Sequence, residues 1–415
     1  MHVFATLALI TLTQASAIWP PTEAPEAESP DVTIQTIDAE PLSGTIVGWT
    51  LQDELVLDDP SEDAPITVDS GQIVRITCEQ AAEPLRQRNG PGKSRPSGRP
   101  FVVELIGGDH LSGSIADAAE DNLTIATSAC GQVSIPLGHV AIIKSPAAAS
   151  PRWKAVLGGL LRSGPAADDR LLLANGDVLR GFLRSIGATQ VTIEQDETPL
   201  EVPLDHLVAA LLVPTASAPA TGLRARFTLT DGGRITATDL TWSRGSVELT
   251  AFGERSLNVP VDRIAQVDVA GGRWVWLSTL APISEQHTPL LDLAWPPARD
   301  ANVLGRPMRV AGQPYERGIG VHSASSMTYD LAGAYREFAT SFGIDDDSGT
   351  FADVSVEIRV DSSSRYQKEH VRRGELHGPV RIDLRSANRI ELIVGFGENG
   401  DVQDRFNWIE PGVVR

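Results

Sequence analysis

Residues 171–181 read LLLANGDVLRG and show the pattern on which the fold of this chain depends. The apolar run at 171–173 reaches an Asn-Gly-Asp turn at 175–177, and the chain returns through Val178 and Leu179. Asn-Gly and Gly-Asp pairs favour tight turns with positive φ, so this segment predicts a β-hairpin. Apolar and polar residues continue to alternate after it, which predicts an all-β fold.

The same pattern occurs four times in the N-terminal two thirds of the chain. A Leu-x-Gly step or its equivalent is followed 22 or 23 residues later by a proline, in the pairs Gly113/Pro136, Gly181/Pro203 and Ala237/Pro260. The first copy is the most divergent and has Gly44 and Asp69 at these positions. Each copy of about 45 residues has room for four or five short strands, which predicts small SH3-like or Sm-like β-barrel units. Hairpins of one larger sandwich are the alternative.

Composition places these repeats between linkers. The repeats are predicted at residues 32–78, 101–146, 170–214 and 223–272. Proline is tolerated at strand ends, so each repeat is expected to end near its proline. Three segments are predicted to be linkers, namely the acidic, Pro-rich 18–31, the Pro- and Gly-rich 79–100, and 147–169 with a short helix at 153–161.

The first 17 residues contain no Asp, Glu, Lys or Arg and end in Ala-Ser-Ala. An apolar stretch at 3–12 followed by small residues predicts a secretory signal peptide at 1–17, and the stretch is too short to span a bilayer. A short buried N-terminal strand is the alternative. We therefore expect a secreted or periplasmic protein without a membrane span.

Charge and cysteine content exclude two classes of function. The chain has 35 Lys and Arg against 54 Asp and Glu, a net charge of −19, and such a field disfavours binding to nucleic acid. Only Cys78 and Cys130 are present, which excludes a zinc site of four cysteines. Export would permit a disulfide between them, and two unpaired cysteines are the other possibility.

Residues 282–415 differ from the repeats and predict a separate β-rich domain. Apolar residues alternate strictly with polar ones at 354–360 and 380–384, and another apolar run lies at 390–394. Loops rich in Gly, Asp and Asn separate these segments. The pattern predicts half-buried strands of an antiparallel sandwich.

Several motifs of this region occur in the order typical of one family. They are Tyr315 with Gly318-Ile319-Gly320-Val321-His322-Ser323, then Tyr329-Asp330-Leu331, then Phe338 with Phe342-Gly343-Ile344-Asp345-Asp346, and finally Gly397, Asn399-Gly400-Asp401, Asp404 and Trp408. By these motifs, residues 282–415 closely resemble the NPCBM domain, a carbohydrate-binding module. The resemblance implies a galactose-binding-like jelly-roll β-sandwich that binds glycans through loops at one end, in secreted bacterial proteins. Two departures are Arg405-Phe406 after the Asp and Pro411, which is expected to interrupt the last strand.

Polar and aromatic residues of these motifs are the candidate carbohydrate-binding site: His322, Asp345, Asp346, Asn399, Asp404 and Trp408. Carboxylates, amides and imidazoles hydrogen-bond to sugar hydroxyls, and aromatic faces stack on sugar C–H faces. For each of them a structural role is the alternative, and for Trp408 that role is a place in the core. Trp274, Trp276 and Trp295 are interpreted as packing residues.

The acidic loop also offers oxygen ligands for a hard cation. Asp345 and Asp347 are the candidate ligands of a Ca²⁺ ion, since adjacent carboxylates cannot all face one ion. A solvated acidic loop is the alternative.

The sequence therefore predicts an exported, non-catalytic carbohydrate-binding protein whose β repeats are spacers or bind protein partners. Glycoside hydrolysis needs two facing carboxylates, and Asp346 with Asp404 is the pair that can be nominated. No nucleophile elbow, zinc-protease motif or phosphate-binding loop occurs in the sequence. An extracellular scaffold whose NPCBM-like fold does not bind sugar is the alternative.

Overall fold

The computed structural model describes residues 30–37, 40–78, 100–116, 121–162, 167–216, 222–289 and 294–415. The predicted signal peptide and most of the predicted linkers at 18–31 and 79–100 lie outside the described residues. Within them the chain is built almost entirely of β-strands, with one α-helix, α1 (Pro151–Arg162), so the all-β prediction is confirmed. No helix in this part of the chain has the length and apolar character needed to cross a bilayer.

Each of the four repeats forms a curved antiparallel sheet with the spatial strand order 5-1-2-3-4. The fourth and fifth strands of a repeat are not paired with each other in the described residues, so the sheets curve without closing. The strands are β1 (Asp31–Thr36), β2 (Leu42–Thr50), β3 (Glu54–Asp58), β4 (Ile66–Asp69) and β5 (Ile73–Cys78); β6 (Phe101–Leu105), β7 (His110–Ile115), β8 (Asn122–Thr127), β9 (Gly131–Pro136) and β10 (Val140–Lys144); β11 (Asp169–Leu173), β12 (Val178–Ile186), β13 (Gln190–Gln195), β14 (Thr198–Pro203) and β15 (Leu207–Leu211); and β16 (Arg224–Leu229), β17 (Arg234–Ala237) with β18 (Asp239–Ser243) as a split second strand, β19 (Ser246–Ala251), β20 (Arg255–Pro260) and β21 (Ile264–Ala270).

Glycine is required in the Leu-x-Gly step for a steric reason. A Cβ atom at Gly113 would lie 2.2 Å from the carbonyl oxygen of Ala126. At Gly181 it would lie 2.1 Å from the carbonyl oxygen of Glu194. Only glycine lets the second strand approach the third so closely. The fourth repeat has Ala237 at this position, and its second strand is interrupted there between β17 and β18.

Each repeat has one more strand after its proline, and this strand lies within the predicted bounds 101–146, 170–214 and 223–272. A 3-10 turn follows the proline directly and leads into the fifth strand, at Leu137–His139, Leu204–His206 and Val261–Arg263. In the first repeat Asp69 replaces the proline, and its side chain accepts a hydrogen bond from the Gly71 amide at 2.9 Å. The turn therefore begins at this position, which is occupied either by a proline, whose φ is fixed, or by a capping carboxylate.

The repeats join through their fifth strands. β5 pairs with β21, which joins the first and fourth repeats, and β10 pairs with β15, which joins the second and third. A β2–β18 contact adds to the first of these junctions, and a β7–β17 contact links the second repeat to the fourth. One continuous apolar core runs through all four repeats. Helix α1 packs on the third repeat through Trp153 and Leu157. The four copies are thus joined at their edges into one hydrogen-bonded system of 21 strands.

The C-terminal domain is a sandwich of two antiparallel sheets. One sheet has the order β24-β27-β34-β29-β32 with β22 on β34, and the other has the order β23-β28-β33-β30-β31. Their inner faces enclose one apolar core. The strands are β22 (Trp274–Trp276), β23 (Ser284–His287), β24 (Ala298–Arg299), β25 (Met308–Val310), β26 (Gln313–Tyr315), β27 (Gly318–His322), β28 (Ser325–Asp330), β29 (Glu337–Ile344), β30 (Asp353–Val360), β31 (Ser363–Arg372), β32 (His377–Asp383), β33 (Arg389–Phe396) and β34 (Arg405–Val414).

The last strand, β34, runs through Pro411, so the expectation that this proline interrupts it is wrong. Ala339 pairs with Gly412 and Ser341 pairs with Ile409, which leaves Glu410 and Pro411 opposite a single residue of β29. Glu410 has φ +50°. This is a β-bulge, where a proline costs no ladder hydrogen bond.

The C-terminal domain packs against the first and fourth repeats. Arg75 on β5 pairs with Asp268 on β21 at 2.7 Å and also with Glu410 on β34. Trp274 and Trp276 pack beside Val74, as expected for packing residues. Cys78 is buried, Cys130 is half-buried, and both are free thiols.

Candidate functional site

The loops of the sandwich meet at one end of the C-terminal domain. β27 ends there at His322, β29 ends at Ile344, β30 begins at Asp353, and β34 begins at Arg405. Antiparallel pairing forces these strand ends together, because His322 lies opposite Arg405 and Ile344 lies opposite Phe406. We call this the loop end.

An aromatic cluster forms one side of the loop end. His322 is 6% exposed, and its ring stacks on Trp295 with 5.8 Å between centroids and 14° between planes. The ring of His287 meets His322 edge-on at 6.0 Å, and its Nδ1 accepts a hydrogen bond from the Trp295 amide at 3.2 Å. Trp295 and His287 are only half-buried, so the cluster reaches the surface.

Both imidazoles of this cluster are neutral at pH 7. Burial is the main reason why the pKa of His322 is lowered to about 4; His287 and Arg405 act in the same direction, and Asp401 opposes them. Burial also lowers the pKa of His287. A neutral imidazole carries one donor and one acceptor, as recognition of hydroxyl groups requires.

Asp404 links this cluster to a second, charged group. Its side chain is fully buried, and Oδ1 accepts a hydrogen bond from the Asp353 amide at 3.1 Å. The pKa of Asp404 is raised to about 6 by burial, against a hydrogen bond from Ser323 that lowers it. Oδ2 has no hydrogen-bond partner among the described residues.

The charged group consists of Asp353, His370, Arg372 and Glu398. Asp353 Oδ2 lies 3.2 Å from His370 Nδ1 and 3.6 Å from Arg372 Nη2, while Glu398 Oε1 lies 3.9 Å from His370 Nε2. Asp353 is buried, and its Oδ1 has no partner among the described residues. A buried carboxylate oxygen without a donor costs folding free energy.

One oxygen or nitrogen from each of Asp353, His370 and Glu398 lies within 4.8 Å of the others, so these three residues could hold a metal ion. Two carboxylates and one imidazole form a reasonable donor set for a divalent cation. Arg372 already places a positive charge 3.6 Å from both carboxylates, which weakens the attraction for a cation. The set is equally suited to accept hydrogen bonds from sugar hydroxyls.

The acidic loop that the sequence singled out is arranged differently from the prediction. Asp345 is buried, and its two oxygens accept hydrogen bonds from Asn302 Nδ2, Asn407 Nδ2 and the amides of Asp347 and Arg309. Four N–H donors leave no room for an ion, which argues against the predicted Ca²⁺ site at Asp345 and Asp347. Asp345 instead organises the loop.

The remaining predicted residues divide between surface and core. Asp346 is half-buried and accepts a hydrogen bond from the Gly312 amide at 2.9 Å, and Asp347 is exposed beside Arg306. Asn399 is exposed at the loop end and donates to the Phe351 carbonyl at 3.0 Å. Trp408 is 1% exposed and packs on Phe342 and Phe406, so its ring cannot stack on a ligand.

Several site residues were missed because they are distant in sequence. Asp353, His370 and Glu398 meet only through the pairing of β30 with β31 and β33. Trp295 was interpreted as a packing residue, but it is only half-buried and stacks on His322. Its half-exposure depends on the neighbouring His322, which the sequence alone does not place.

The site thus belongs to a two-sheet β-sandwich with a polar and aromatic loop end. Residues 273–414 match the family model described as the NPCBM/NEW2 domain, which confirms the resemblance of the C-terminal third. This match fits a carbohydrate-binding role. Among curated proteins, no relative of this chain was found.

Solved structures similar to this chain are carbohydrate-binding modules of family CBM51. One is the CBM51 of a Clostridium perfringens family GH95 protein in complex with methyl-galactose, with 22% identity over 34% of this chain and 99% of that chain, at a TM-score of 0.31. A second is CBM51-2 with the INT domains of Clostridium perfringens ZmpB in complex with GlcNAc, with 18% identity over 44% of each chain, at a TM-score of 0.31. A third is the tandem CBM51 pair of the Streptococcus pneumoniae family 98 glycoside hydrolase, with 12% identity over 61% of this chain and 89% of that chain, at a TM-score of 0.31. The match spans less than half of the ZmpB structure.

Proposed function

We propose that this protein is an exported, non-catalytic carbohydrate-binding protein that holds a glycan at the loop end of its C-terminal domain. The observation that carries the proposal is the pairing of two complementary surfaces there. One is the half-exposed Trp295 stacked on a neutral His322, and the other is the charged group around Asp353. The match to the NPCBM/NEW2 domain supports the same role.

The chemistry of a sugar explains why both surfaces are needed. Sugar rings have apolar C–H faces, which stack on an indole, and hydroxyl groups, which donate to carboxylates and accept from imidazole or guanidinium N–H groups. His370, Arg372 and Glu398 have side chains that are half or more exposed, so they offer such donors and acceptors at the loop end. Asn399 and Asp401 on the preceding loop would border the ligand.

The arrangement does not favour glycoside hydrolysis. Asp346 is held by the Gly312 amide on the side of β25–β26, and Asp404 is enclosed under Ser323 and Asp353, so the two nominated carboxyls do not form a facing pair. We therefore assign binding alone to this site. The repeats, as sheets joined at their edges, are proposed to act as spacers or as protein-binding modules.

A glycan array probed with the full chain tests the proposal. We expect binding to a defined group of glycans, with loss of signal in Trp295→Ala and Asp353→Asn. Phe182→Ala, which removes an exposed aromatic ring of the third repeat, is the matched control and should bind as the unaltered protein does. No signal for any glycan, together with a tight protein partner, would favour the scaffold alternative.

Two further measurements address export and catalysis. Expression with and without residues 1–17, followed by N-terminal sequencing of the exported protein, should show cleavage before Ile18. Incubation with chromogenic glycosides should release no product. Release that Asp404→Asn abolishes would contradict the non-catalytic assignment.

A further inference from the structure

A cavity of about 370 Å³ lies where the second and fourth repeats meet the C-terminal domain. Its walls include Asp109, Arg226, Asp268, Trp274, Trp276 and Arg317. Arg317 precedes β27 and Trp274–Trp276 pairs with the last residues of β34. The cavity is therefore at the end of these strands opposite the loop end, and it is a different site. Its volume is in the range of small-molecule pockets.

The sequence of β16 builds the floor of this cavity. In RARFTL, Ala225 and Phe227 face the core of the repeat, so Arg224 and Arg226 lie on the other face. Arg226 is in register with Thr236 on β17 and with Asp268 on β21. Asp268 is in turn opposite Arg75 on β5. A polar row thus crosses the sheet on a face that the C-terminal domain covers.

The charge of the cavity is opposite to that of the chain. Four arginines and two aspartates line it, whereas the whole chain has 35 basic and 54 acidic residues. The arginines are Arg224, Arg226, Arg317 and Arg415, and the aspartates are Asp109 and Asp268. Burial and then the neighbouring Arg317 lower the pKa of Arg226, while Asp109, 4.0 Å from its Nε, and Asp268 oppose this, so Arg226 and Arg317 are close enough to repel. An anion between them would relieve this repulsion.

The guanidinium groups are held in place by the protein. Arg226 Nε donates to Thr236 Oγ1 at 3.3 Å, and Arg317 Nη1 donates to Asp300 at 2.6 Å. Asp109 accepts two hydrogen bonds from Thr236, each at 2.7 Å, so its side chain cannot rotate freely. A site whose charged groups are already oriented binds a ligand at a lower entropic cost.

Buried donors without acceptors provide an independent observation. Trp274 and Trp276 line the cavity and are more than nine-tenths buried, yet neither indole N–H has a hydrogen-bond partner among the described residues. Nη2 of Arg75 also has no hydrogen-bond partner in this part of the structure, and the Arg75 guanidinium lies 5.6 Å from the centroid of the Trp276 ring. Unpaired buried donors are costly, and no group among the described residues satisfies these three.

We propose that this cavity binds an oxyanion, namely a sulfate or carboxylate group. Arginine forks match the paired oxygens of such groups, and their hydrogen bonds are charge-assisted. A cation is disfavoured by the excess of arginine, and a neutral ligand would leave the repulsion between Arg226 and Arg317 in place. The oxyanion can be a free inorganic ion or the acidic group of a saccharide.

Calorimetric titration of the full chain with sodium sulfate and with sodium glucuronate tests the proposal. Sodium chloride keeps the ionic strength constant, and glucose is the uncharged control. We expect saturable binding of at least one oxyanion and none of glucose. Tighter binding of glucuronate than of sulfate identifies an acidic saccharide as the ligand class, and equal or tighter binding of sulfate identifies an inorganic anion.

Variants locate the binding. Arg226→Gln and Arg224→Gln should each weaken oxyanion binding at least tenfold, and Arg226→Lys should weaken it by a smaller factor because it keeps the charge and loses the fork. Arg385→Gln removes an equal charge from an exposed position beside Asp383 and should leave binding unchanged. Circular dichroism checks folding, and if Arg226→Gln is unfolded, the Arg224→Gln and Arg226→Lys variants decide. Absence of saturable binding, or an equal loss in Arg385→Gln, overturns the proposal whatever the glycan array shows.

Discussion

The indole of Trp295 lies nearly parallel to the imidazole of His322, with 14° between the ring planes and 5.8 Å between the centroids. His322 is buried at the end of a central strand, whereas Trp295 belongs to the segment that leads into the domain and is half-exposed. The buried ring therefore fixes the orientation of the exposed one. A ring that is already oriented loses little entropy when a ligand stacks on it.

Replacement of Trp295 with alanine should reduce glycan affinity at least tenfold. The lost stacking surface corresponds to roughly 1.4 kcal/mol or more, which is tenfold in the dissociation constant. The fold should persist, because the side chain is only half-buried. Titration calorimetry with a glycan identified on the array gives the affinity, and thermal unfolding monitors the fold.

Trp408 provides the contrasting variant for this test. Its ring is 1% exposed within the core, so Trp408→Ala should cost about 3–5 kcal/mol of unfolding free energy. Unchanged affinity in Trp295→Ala would show that the aromatic cluster is not the binding surface.

Replacement of Asp404 with asparagine should stabilise the protein more at neutral pH than at pH 4. The folded pKa of Asp404 is raised to about 6 from an ordinary value of 3.8. Between these values the unfolded chain ionises and the folded chain does not, so the residue lowers stability as pH rises through this window. Above pH 6 the full penalty of up to about 3 kcal/mol is present, and asparagine removes it while keeping an acceptor for the Asp353 amide.

The measurement is the difference in unfolding free energy between Asp404→Asn and the unaltered protein from pH 4 to pH 7. The unaltered protein alone does not isolate the effect, because His322 titrates with the opposite sign. Its folded pKa is lowered to about 4, so its contribution is complete above its ordinary value of 6.5 and is lost as pH falls towards 4. A difference curve that is flat across this range would contradict the burial argument for Asp404.

The β architecture could be predicted because it depends on local sequence patterns. Alternation of period two, Gly-containing turns and the spacing from Gly113 to Pro136 each describe strands that are neighbours in sequence. The 3-10 turn after each proline was not predicted, because a proline before a 3-10 turn and a proline at a strand end have the same local sequence.

The candidate site could be predicted only in part, for a related reason. His322 and Asp404 lie at strand ends that any antiparallel sandwich brings to its loop end. By contrast, Asp345 directly follows β29 and Asp353 begins β30, so both are acidic residues at a strand end. Only their long-range contacts show that they have different roles. Asp345 meets Asn302 and Asn407, which satisfy it, while Asp353 meets His370 and keeps one oxygen unpaired.

Replacement of Gly181 with alanine should destabilise the third repeat by about 1–3 kcal/mol, the usual cost of an added methyl group in a packed site. The new Cβ would lie 2.1 Å from the carbonyl oxygen of Glu194, and backbone must move to relieve the contact. Ala237→Gly is the matched control in the fourth repeat, where the strand is already interrupted, and it should cost less than about 1 kcal/mol. Urea unfolding of both variants provides the comparison, and equal costs would contradict the steric account of the repeated glycine.

Replacement of Arg75 with alanine should cost about 3–5 kcal/mol of unfolding free energy. Arg75 is the cation between Asp268, which is 3% exposed, and Glu410 on the bulge of β34. Removing it leaves a buried carboxylate without a counter-charge, which is far more costly than losing a surface ion pair. The substitution should weaken the contact between the repeats and the C-terminal domain, so we expect denaturant unfolding to separate into two transitions.

Arg184→Ala, which breaks the exposed pair with Glu194, is the control. It should cost at most about 1 kcal/mol of unfolding free energy and keep the unfolding profile of the unaltered protein. If Arg75→Ala and Arg184→Ala lose similar amounts, the pairing at Arg75 does not couple the two parts of the molecule.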